Sequence, residues 1–456
     1  MREAESMKLK LKLLLLMFLL TFFCVHTVLA GKKRSQVPRP GQPNIIFILS
    51  DDHRWDYLSS MKHPYIETPN LDRLASEGVH FTNAFCTTSL CSPSRASFLT
   101  GQYASTHGVQ NNLTPWDDRN VTFLELLKKE GYQTAFIGKW HMPGKLPELR
   151  GVDHFVTFDV VGGQGVYFNS PLIINGKRTP SRKPYITEEL TDHTLEFIDH
   201  NREKPFAVYL SHKAVHAPFT PPPELDHKYD TAKVPLPDEA DSWTGMTRGN
   251  FTALQFAPLE KTMRNYAEAV VAMDQQIGRI LTRLDELGIT RDTIVVYTSD
   301  NGYLWGEHQL VDKRWAYEES IRIPFIVRYP GGANQPGRTA EQMVLNIDVA
   351  PSLLDLAGVQ VPSSMQGSSF RPILESASAP GRTAWRYEYF KDFFYRIPEI
   401  NAVRTATHIY IEYGNKKPTD LFNIKNDPLQ KVNLMNTEEG KKLAPQLKQL
   451  LAGLKH

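Results

Sequence analysis

Asn44-Ile45-Ile46-Phe47-Ile48-Leu49-Ser50-Asp51-Asp52 opens the folded part of the chain and decides its class. Its apolar run is too short for a helix and too uniform for a strand with one wet face, so it predicts a strand covered on both sides. Similar runs recur at 134–137, 206–210 and 293–298. Helical patterns lie between them: Thr68-Pro69 opens one that stops at Gly78, 122–130 stops at Gly131, and 262–287 stops at Gly288. This alternation predicts an α/β sandwich with a large, mainly parallel central sheet flanked by helices.

After about residue 375 the texture changes. Tyr387-Glu-Tyr-Phe390, Ile400-Asn-Ala-Val-Arg404 and His408-Ile-Tyr-Ile-Glu-Tyr413 are short and alternating, as antiparallel strands are. An amphipathic helix over 437–454 follows, with Pro445 expected to mark its first turn. The organisation expected is a catalytic domain over 43–375 and a smaller C-terminal α+β subdomain over 376–456. The Pro-rich stretch 218–241 reads as a surface loop beside whatever Val215-His216 lines.

The 456 residues are 41% apolar and 22% charged, which excludes a disordered chain and a polytopic membrane protein. With 52 Lys+Arg against 50 Asp+Glu there is no basic footprint for nucleic acid. Arg2, Lys8, Lys10 and Lys12 precede an apolar run over 13–25, and Val28-Leu29-Ala30 supplies a cleavage site. This predicts a signal peptide over 1–30, the alternative being an uncleaved anchor. A basic, Pro-rich linker follows over 31–42. Removing residues 1–30 takes away four basic and two acidic residues and leaves the remainder formally neutral. The chain is expected to be exported to a periplasm, the extracellular space or a secretory or lysosomal route, without stable membrane insertion. Cys24 leaves with the signal, so only Cys86 and Cys91 remain. Asn112-Leu-Thr114, Asn120-Val-Thr122 and Asn250-Phe-Thr252 match glycosylation acceptors.

Four polar clusters fall at the carboxyl ends of expected strands: Asp51-Asp52-His53, Gly138-Lys139-Trp140-His141, His212 to His216, and Ser299-Asp300-Asn301-Gly302. Ligands bind at that edge of an open α/β sheet, so four clusters there predict one site built from distant sequence. Asp51, Asp52, Asp300 and Asn301 offer only oxygen atoms, a set that suits Ca²⁺ better than zinc, with His53 in reserve. Cys91-Ser92-Pro93-Ser94-Arg95 places a cysteine at a helix N-terminus, where unpaired N–H groups favour negative charge. A buried cysteine ahead of a helix is the plainer reading.

The C-x-P-S-R motif with Ala96-Ser-Phe-Leu-Thr-Gly101 resembles the formylglycine-dependent sulfatases of the alkaline-phosphatase superfamily. The likeness runs from Pro43 to Pro428 and includes Asp420-Leu-Phe-Asn-Ile-Lys-Asn-Asp-Pro428. It implies that Cys91 is oxidised to formylglycine (3-oxoalanine) by a formylglycine-generating or anaerobic sulfatase-maturing enzyme, then hydrated to a gem-diol. One Ca²⁺ would be held by Asp51, Asp52, Asp300, Asn301 and the modified Cys91. Arg95, Lys139 and His141 would hold the nucleophile and sulfate, with His141 taking a proton from the gem-diol. His216 and Lys313 would face sulfate and the departing alcohol. A sulfate monoester needs cations around its oxygens and an acid for the leaving oxygen, and this set supplies both.

Within the family, His107-Gly-Val-Gln-Asn-Asn112, Gly306-Glu-His308 and Asp312-Lys-Arg-Trp-Ala-Tyr-Glu-Glu-Ser320 look most like carbohydrate sulfatases acting on N-acetylglucosamine 6-sulfate. His308, Asp312, Arg314 and Asn112 are the candidates for contacting the sugar, while Trp140 and Trp315 are open between packing and stacking. Iduronate-2-sulfatase or arylsulfatase specificity stays open. So do phosphonate or phosphate-diester hydrolysis by the same nucleophile, and a sulfated-glycan binder in which Cys91 stays a thiol.

Overall fold

The computed structural model describes residues 42–144, 149–158, 163–238, 247–248, 251–252, 258–333, 335–414 and 418–454. The expected signal peptide and nearly all of the expected linker fall outside them. The main sheet has ten strands: β1 (Asn44–Ser50), β2 (Val79–Phe81), β3 (Gln133–Gly138), β4 (His154–Phe158), β5 (Leu172–Ile174), β6 (Lys177–Thr179), β7 (Phe206–Ser211), β8 (Thr293–Ser299), β9 (Phe325–Arg328) and β10 (Arg338–Ala340). Their spatial order is β10-β2-β9-β8-β1-β7-β3-β4-β5-β6. The central five, β8-β1-β7-β3-β4, are parallel. The flanks are mixed: β9 runs antiparallel to β8 and β2, and β5 and β6 form a hairpin beyond β4.

Helices cover both faces: α1 (Pro69–Ser76), α2 (Cys91–Thr100), α3 (Phe123–Lys129), α4 (Ile186–Asn201), α5 (Leu259–Glu286) and α6 (Val349–Leu356). Successive residues of a strand point to opposite faces. Ile46 and Ile48 of β1 share a core with Leu74 of α1, Leu190 of α4 and Val270 of α5. Ile45, Phe47 and Leu49 share the other with Phe98 of α2, Leu124 of α3 and Leu353 of α6. Each such side chain contributes about 1.5–3 kcal/mol relative to exposure, so the uniform apolar runs bind three layers together.

The parallel strands end level. Ser50 of β1 pairs with Ser299 of β8, Leu49 with Ser211 of β7, and Gly138 of β3 with the same Ser211. The residues that follow therefore emerge side by side on one edge, as the polar clusters in the sequence anticipate.

A four-stranded antiparallel meander follows: β11 (Ala384–Tyr389), β12 (Ile400–Thr405), β13 (His408–Tyr413) and β14 (Asp420–Asn423). One face, with Trp385, Ala402 and Ile411, packs with Phe85 and Leu90 ahead of α2. The other, with Val403, Tyr410 and Leu421, lies beneath α7 (Glu438–Gly453). Pro445 lies inside α7 and not in its first turn: Thr437 accepts from the Gly440 N–H at 3.0 Å and acidic Glu438 and Glu439 follow, so the helix starts earlier. Among the described residues no helix is long and apolar enough to cross a membrane.

Candidate active site

Cys91 is the first residue of α2, behind an extended Leu90, and all ten residues of this helix are buried. Its Sγ lies 3.7 Å from Asp51 Oδ1. Burial pushes the thiol up to about 11, against the pull of Lys139 and Lys313. Cys86 is a second buried free thiol. The Ser92 N–H of the first turn donates to Asn112 Oδ1 at 3.0 Å, so Asn112 caps the helix from twenty residues away.

Asp51 and Asp52 follow β1, and Asp300 and Asn301 follow β8. The three aspartates each offer an oxygen within 4.8 Å of the others. Asp52 takes a left-handed backbone conformation (φ 60°), and its N–H donates to Asp300 Oδ1 at 3.0 Å. Asn301 donates to Asp52 Oδ1 at 2.7 Å, while its own buried Oδ1 has no hydrogen-bond partner among the described residues. A buried carbonyl oxygen left so costs about 1–3 kcal/mol unless a cation or water takes it. Burial, then Asp51, push Asp300 up to about 7. Burial opposes ionisation of Asp51 too, but Lys139, His216, Arg95 and Lys313 hold its carboxyl well below the usual range. This donor set fits a hard divalent cation. His53 stands apart from it, with Nδ1 2.5 Å from the Tyr297 hydroxyl and Nε2 3.0 Å from the Tyr57 carbonyl.

Three neighbouring cations meet carboxylates. Lys139 Nζ lies 2.5 Å from Asp51, Arg95 2.7 Å from Asp300, and Lys313 2.5 and 2.6 Å from the two oxygens of Asp52. Lys139 reaches its place because Gly138 (φ 115°) turns the chain where a Cβ would sit 1.8 Å from the Ser211 carbonyl. His216 Nε2 is 3.8 Å from Asp52 Oδ2, and its Nδ1 lies 2.8 Å from the Ala217 carbonyl, which assigns the ring proton to Nδ1. His141 sits at φ 54° with Nε2 2.7 Å from the Gln164 amide nitrogen. Burial, reinforced by Lys139, keeps its ring neutral.

Above this layer opens a cavity of about 550 Å³. Asp52, His216 and Lys313 reach it from below, and Asn112, Asp312 and Arg314 line it, together with Ala217, Pro218 and Thr220 at the start of the Pro-rich loop. The far end of that loop, 239–241, lies outside the described residues. His308 is not part of the lining: its ring stacks on Tyr317 at 3.8 Å and its Nε2 lies 3.6 Å from Glu319. Trp140 packs edge-on against Trp116 and Phe136, and Trp315 lies tilted against Tyr413. His107 lies inside the fold, bonded to Ser97 and to the Val109 N–H. Gln164, Tyr167, Lys213 and Tyr395 also line the cavity, and sequence reasoning did not find them. Only Lys213 carried a signal, its place inside the His212–His216 cluster.

A family model described as Sulfatase matches residues 43–359, and one described as N-sulphoglucosamine sulphohydrolase, C-terminal, matches residues 306–456. The N-acetylglucosamine-6-O-sulfatase of Bacteroides thetaiotaomicron is 31% identical, over 93% of this chain and 88% of its own. The N-acetylglucosamine-6-sulfatase of Homo sapiens is 30% identical, over 81% of this chain and 69% of its own. Among solved structures, that of BT4656 in complex with its substrate D-glucosamine-2-N,6-O-disulfate superposes with a TM-score of 0.83 at 30% identity, covering 90% of this chain and 97% of that one. A phosphonate monoester hydrolase of Agrobacterium radiobacter superposes with a TM-score of 0.74 at 22% identity, a likeness of fold alone.

Proposed function

The chain belongs to the sulfatase family of sulfuric ester hydrolases, and from that premise we propose that it removes the 6-O-sulfate of N-acetylglucosamine in a glycosaminoglycan or similar glycan. The state of Cys91 carries the reading. Burial disfavours the Cys91 thiolate, the form that a cysteine nucleophile needs. Yet its position has what a nucleophile attacking an anion needs: a helix N-terminus, Asp51 at 3.7 Å and three surrounding cations. Conversion of Cys91 to formylglycine supplies a hydrated aldehyde, one hydroxyl to attack sulfur and a second to release sulfate.

Asp51, Asp52, Asp300 and Asn301 would hold Ca²⁺, with the unpaired Asn301 Oδ1 ready to coordinate. When bound, the ion supplies positive charge for the nucleophile and the sulfate oxygens. Lys313, at the cavity floor, balances charge on the sulfate and donates a proton to the leaving alcohol, and His216 faces the same oxygens as a neutral ring with its proton on Nδ1. Arg95 and Lys139 fix Asp300 and Asp51 from beneath. His141, kept neutral, accepts the proton of a hydroxyl at position 91. Asn112, Asp312 and Arg314 contact the sugar from the wall. The reading includes export under the signal peptide and a formylglycine-generating or anaerobic sulfatase-maturing enzyme as partner.

The test combines mass spectrometry of the peptide carrying residue 91 with turnover of N-acetylglucosamine 6-sulfate and a phosphonate monoester. Formylglycine at 91 is expected, with the sulfate ester preferred by at least about tenfold in kcat/KM, roughly 1.4 kcal/mol. Cys91→Ala is expected to remain folded and lose turnover. A phosphonate preference or an unmodified thiol in active protein would overturn the reading.

A further inference from the structure

The cations around Cys91 are matched by carboxylates: Lys139 by Asp51, Arg95 by Asp300, Lys313 by Asp52, and Arg314, in the wall, by Asp312. Lys213 is the exception. Among the described residues its ammonium has no carboxylate within ion-pair distance and no hydrogen-bond acceptor. Its side chain is nevertheless buried, with 3% exposure, and lines the cavity.

Nor can it move away easily. The segment is pinned to β1 by the His212 N–H on the Leu49 carbonyl at 2.8 Å and the Val215 N–H on the Asp51 carbonyl at 2.8 Å. Lys213 Nζ lies 5.2 Å from the centre of the Tyr167 ring. That ring is itself held, its hydroxyl donating to the His216 carbonyl at 2.7 Å and its face stacked on Tyr185. Such a cation–π contact returns about 0.5–2 kcal/mol and leaves the ammonium facing the cavity without a counter-ion. Burial, then Lys139, push this ammonium down to about 8. Lys213 thus sets a positive charge at the cavity that no carboxylate among the described residues pairs.

We propose that Lys213 binds a second anionic substituent, a sulfate or a carboxylate, on the sugar whose ester is cleaved at the cavity floor. This rests on the sulfatase reading of the same cavity. A monosulfated sugar occupies the floor and leaves Lys213 bare, whereas a doubly acidic one satisfies both. Lys213 is thus a specificity residue, setting how strongly acidic neighbouring groups are preferred.

The test measures binding to the Cys91→Ala protein by calorimetry and turnover by the matured wild type. The probes are N-acetylglucosamine 6-sulfate, glucosamine 2-N,6-O-disulfate, and N-acetylglucosamine 6-sulfate linked to a uronic acid. At least one doubly acidic probe is expected to bind about tenfold tighter than the monosulfate, about 1.4 kcal/mol. The two doubly acidic probes tell sulfate from carboxylate. Lys213→Gln should bring that ratio close to one, and Lys213→Arg should keep most of it. Equal binding of all three probes by the protein with Lys213 intact overturns the proposal, whatever the variants do. So does a ratio that Lys213→Gln leaves unchanged, or an equal loss on every probe. A Lys213-dependent preference without sulfate release would overturn the hydrolase reading and keep this one; release without preference would do the reverse.

Discussion

Arg95 ties three strand ends to α2, the helix that Cys91 opens. Its guanidinium reaches Asp300 Oδ2 at 2.7 Å, Ser211 Oγ at 2.5 Å and the Lys139 carbonyl at 3.3 Å, joining α2 to the residues that end or follow β8, β7 and β3. A lysine carries the charge but not the planar fork. Arg95→Lys is therefore expected to cost about 1–3 kcal/mol through lost hydrogen bonds. Arg95→Ala, which strands a buried carboxylate, should cost about 3–5 kcal/mol. Denaturant unfolding ranks the two, and equal losses would refute the fork argument. Arg95 was legible because it stands at a fixed step from Cys91 in a motif where each residue has a task. Gln164 was not, because a loop residue carries no periodicity to say which way it faces, and Lys213 showed only as one member of the His212–His216 cluster. His308 looked substrate-facing from its short sequence block, but the ring lies on Tyr317, and nothing in Gly306-Glu307-His308 records that contact.

At the level of elements, α2 is capped from outside itself. Leu90 offers no side-chain cap, and Asn112 fills the role through Ser92. Asn112→Ala should cost about 1 kcal/mol in unfolding free energy. Asn112→Asp keeps the acceptor and should recover most of that stability, yet it sets a negative charge in the wall of the cavity proposed to take a sulfated sugar, so its KM should rise. Loss of stability in both variants alike would show that the cap is not what Asn112 contributes. The helix ends at Gly101 and Gly131 were readable because local chemistry sets them. The cap by Asn112 was hidden by its distance along the chain. β2, β9 and β10, three or four residues each, were too short to leave a pattern. The long parallel strands wrote themselves plainly, since burial on both faces demands an unbroken apolar run.

For the molecule as a whole, the buried imidazoles set an acid limit. Burial holds His80 down to about 4 and His107 and His212 to about 3, against an ordinary value near 6.5. Below pH 6.5 the unfolded chain takes up protons that the native state refuses. The stability tied to these neutral rings is complete above about 6.5 and is lost as pH falls toward 4 and 3. At pH 5 each ring forfeits about 2 kcal/mol. The melting midpoint should therefore drop between pH 7.5 and 5, and a flat profile would mean these rings titrate normally. The central sheet, its helices and the strand-end site were visible in the sequence, since they follow from apolar runs and the polar residues that end them. The mixed flanks and the cavity wall depend on tertiary packing. Attraction for sulfate likewise comes from local arrangement, because the chain beyond residue 30 is formally neutral.

Cys91 has no exposed surface, and the helix it opens is enclosed along its whole length. If its thiol becomes an aldehyde, the catalyst must reach it while the strands are still apart. Maturation and folding are then two clocks started together. Chains on which folding runs faster are sealed as thiols with the same shape, so the active fraction of a preparation is decided at birth and no later treatment of the folded protein raises it.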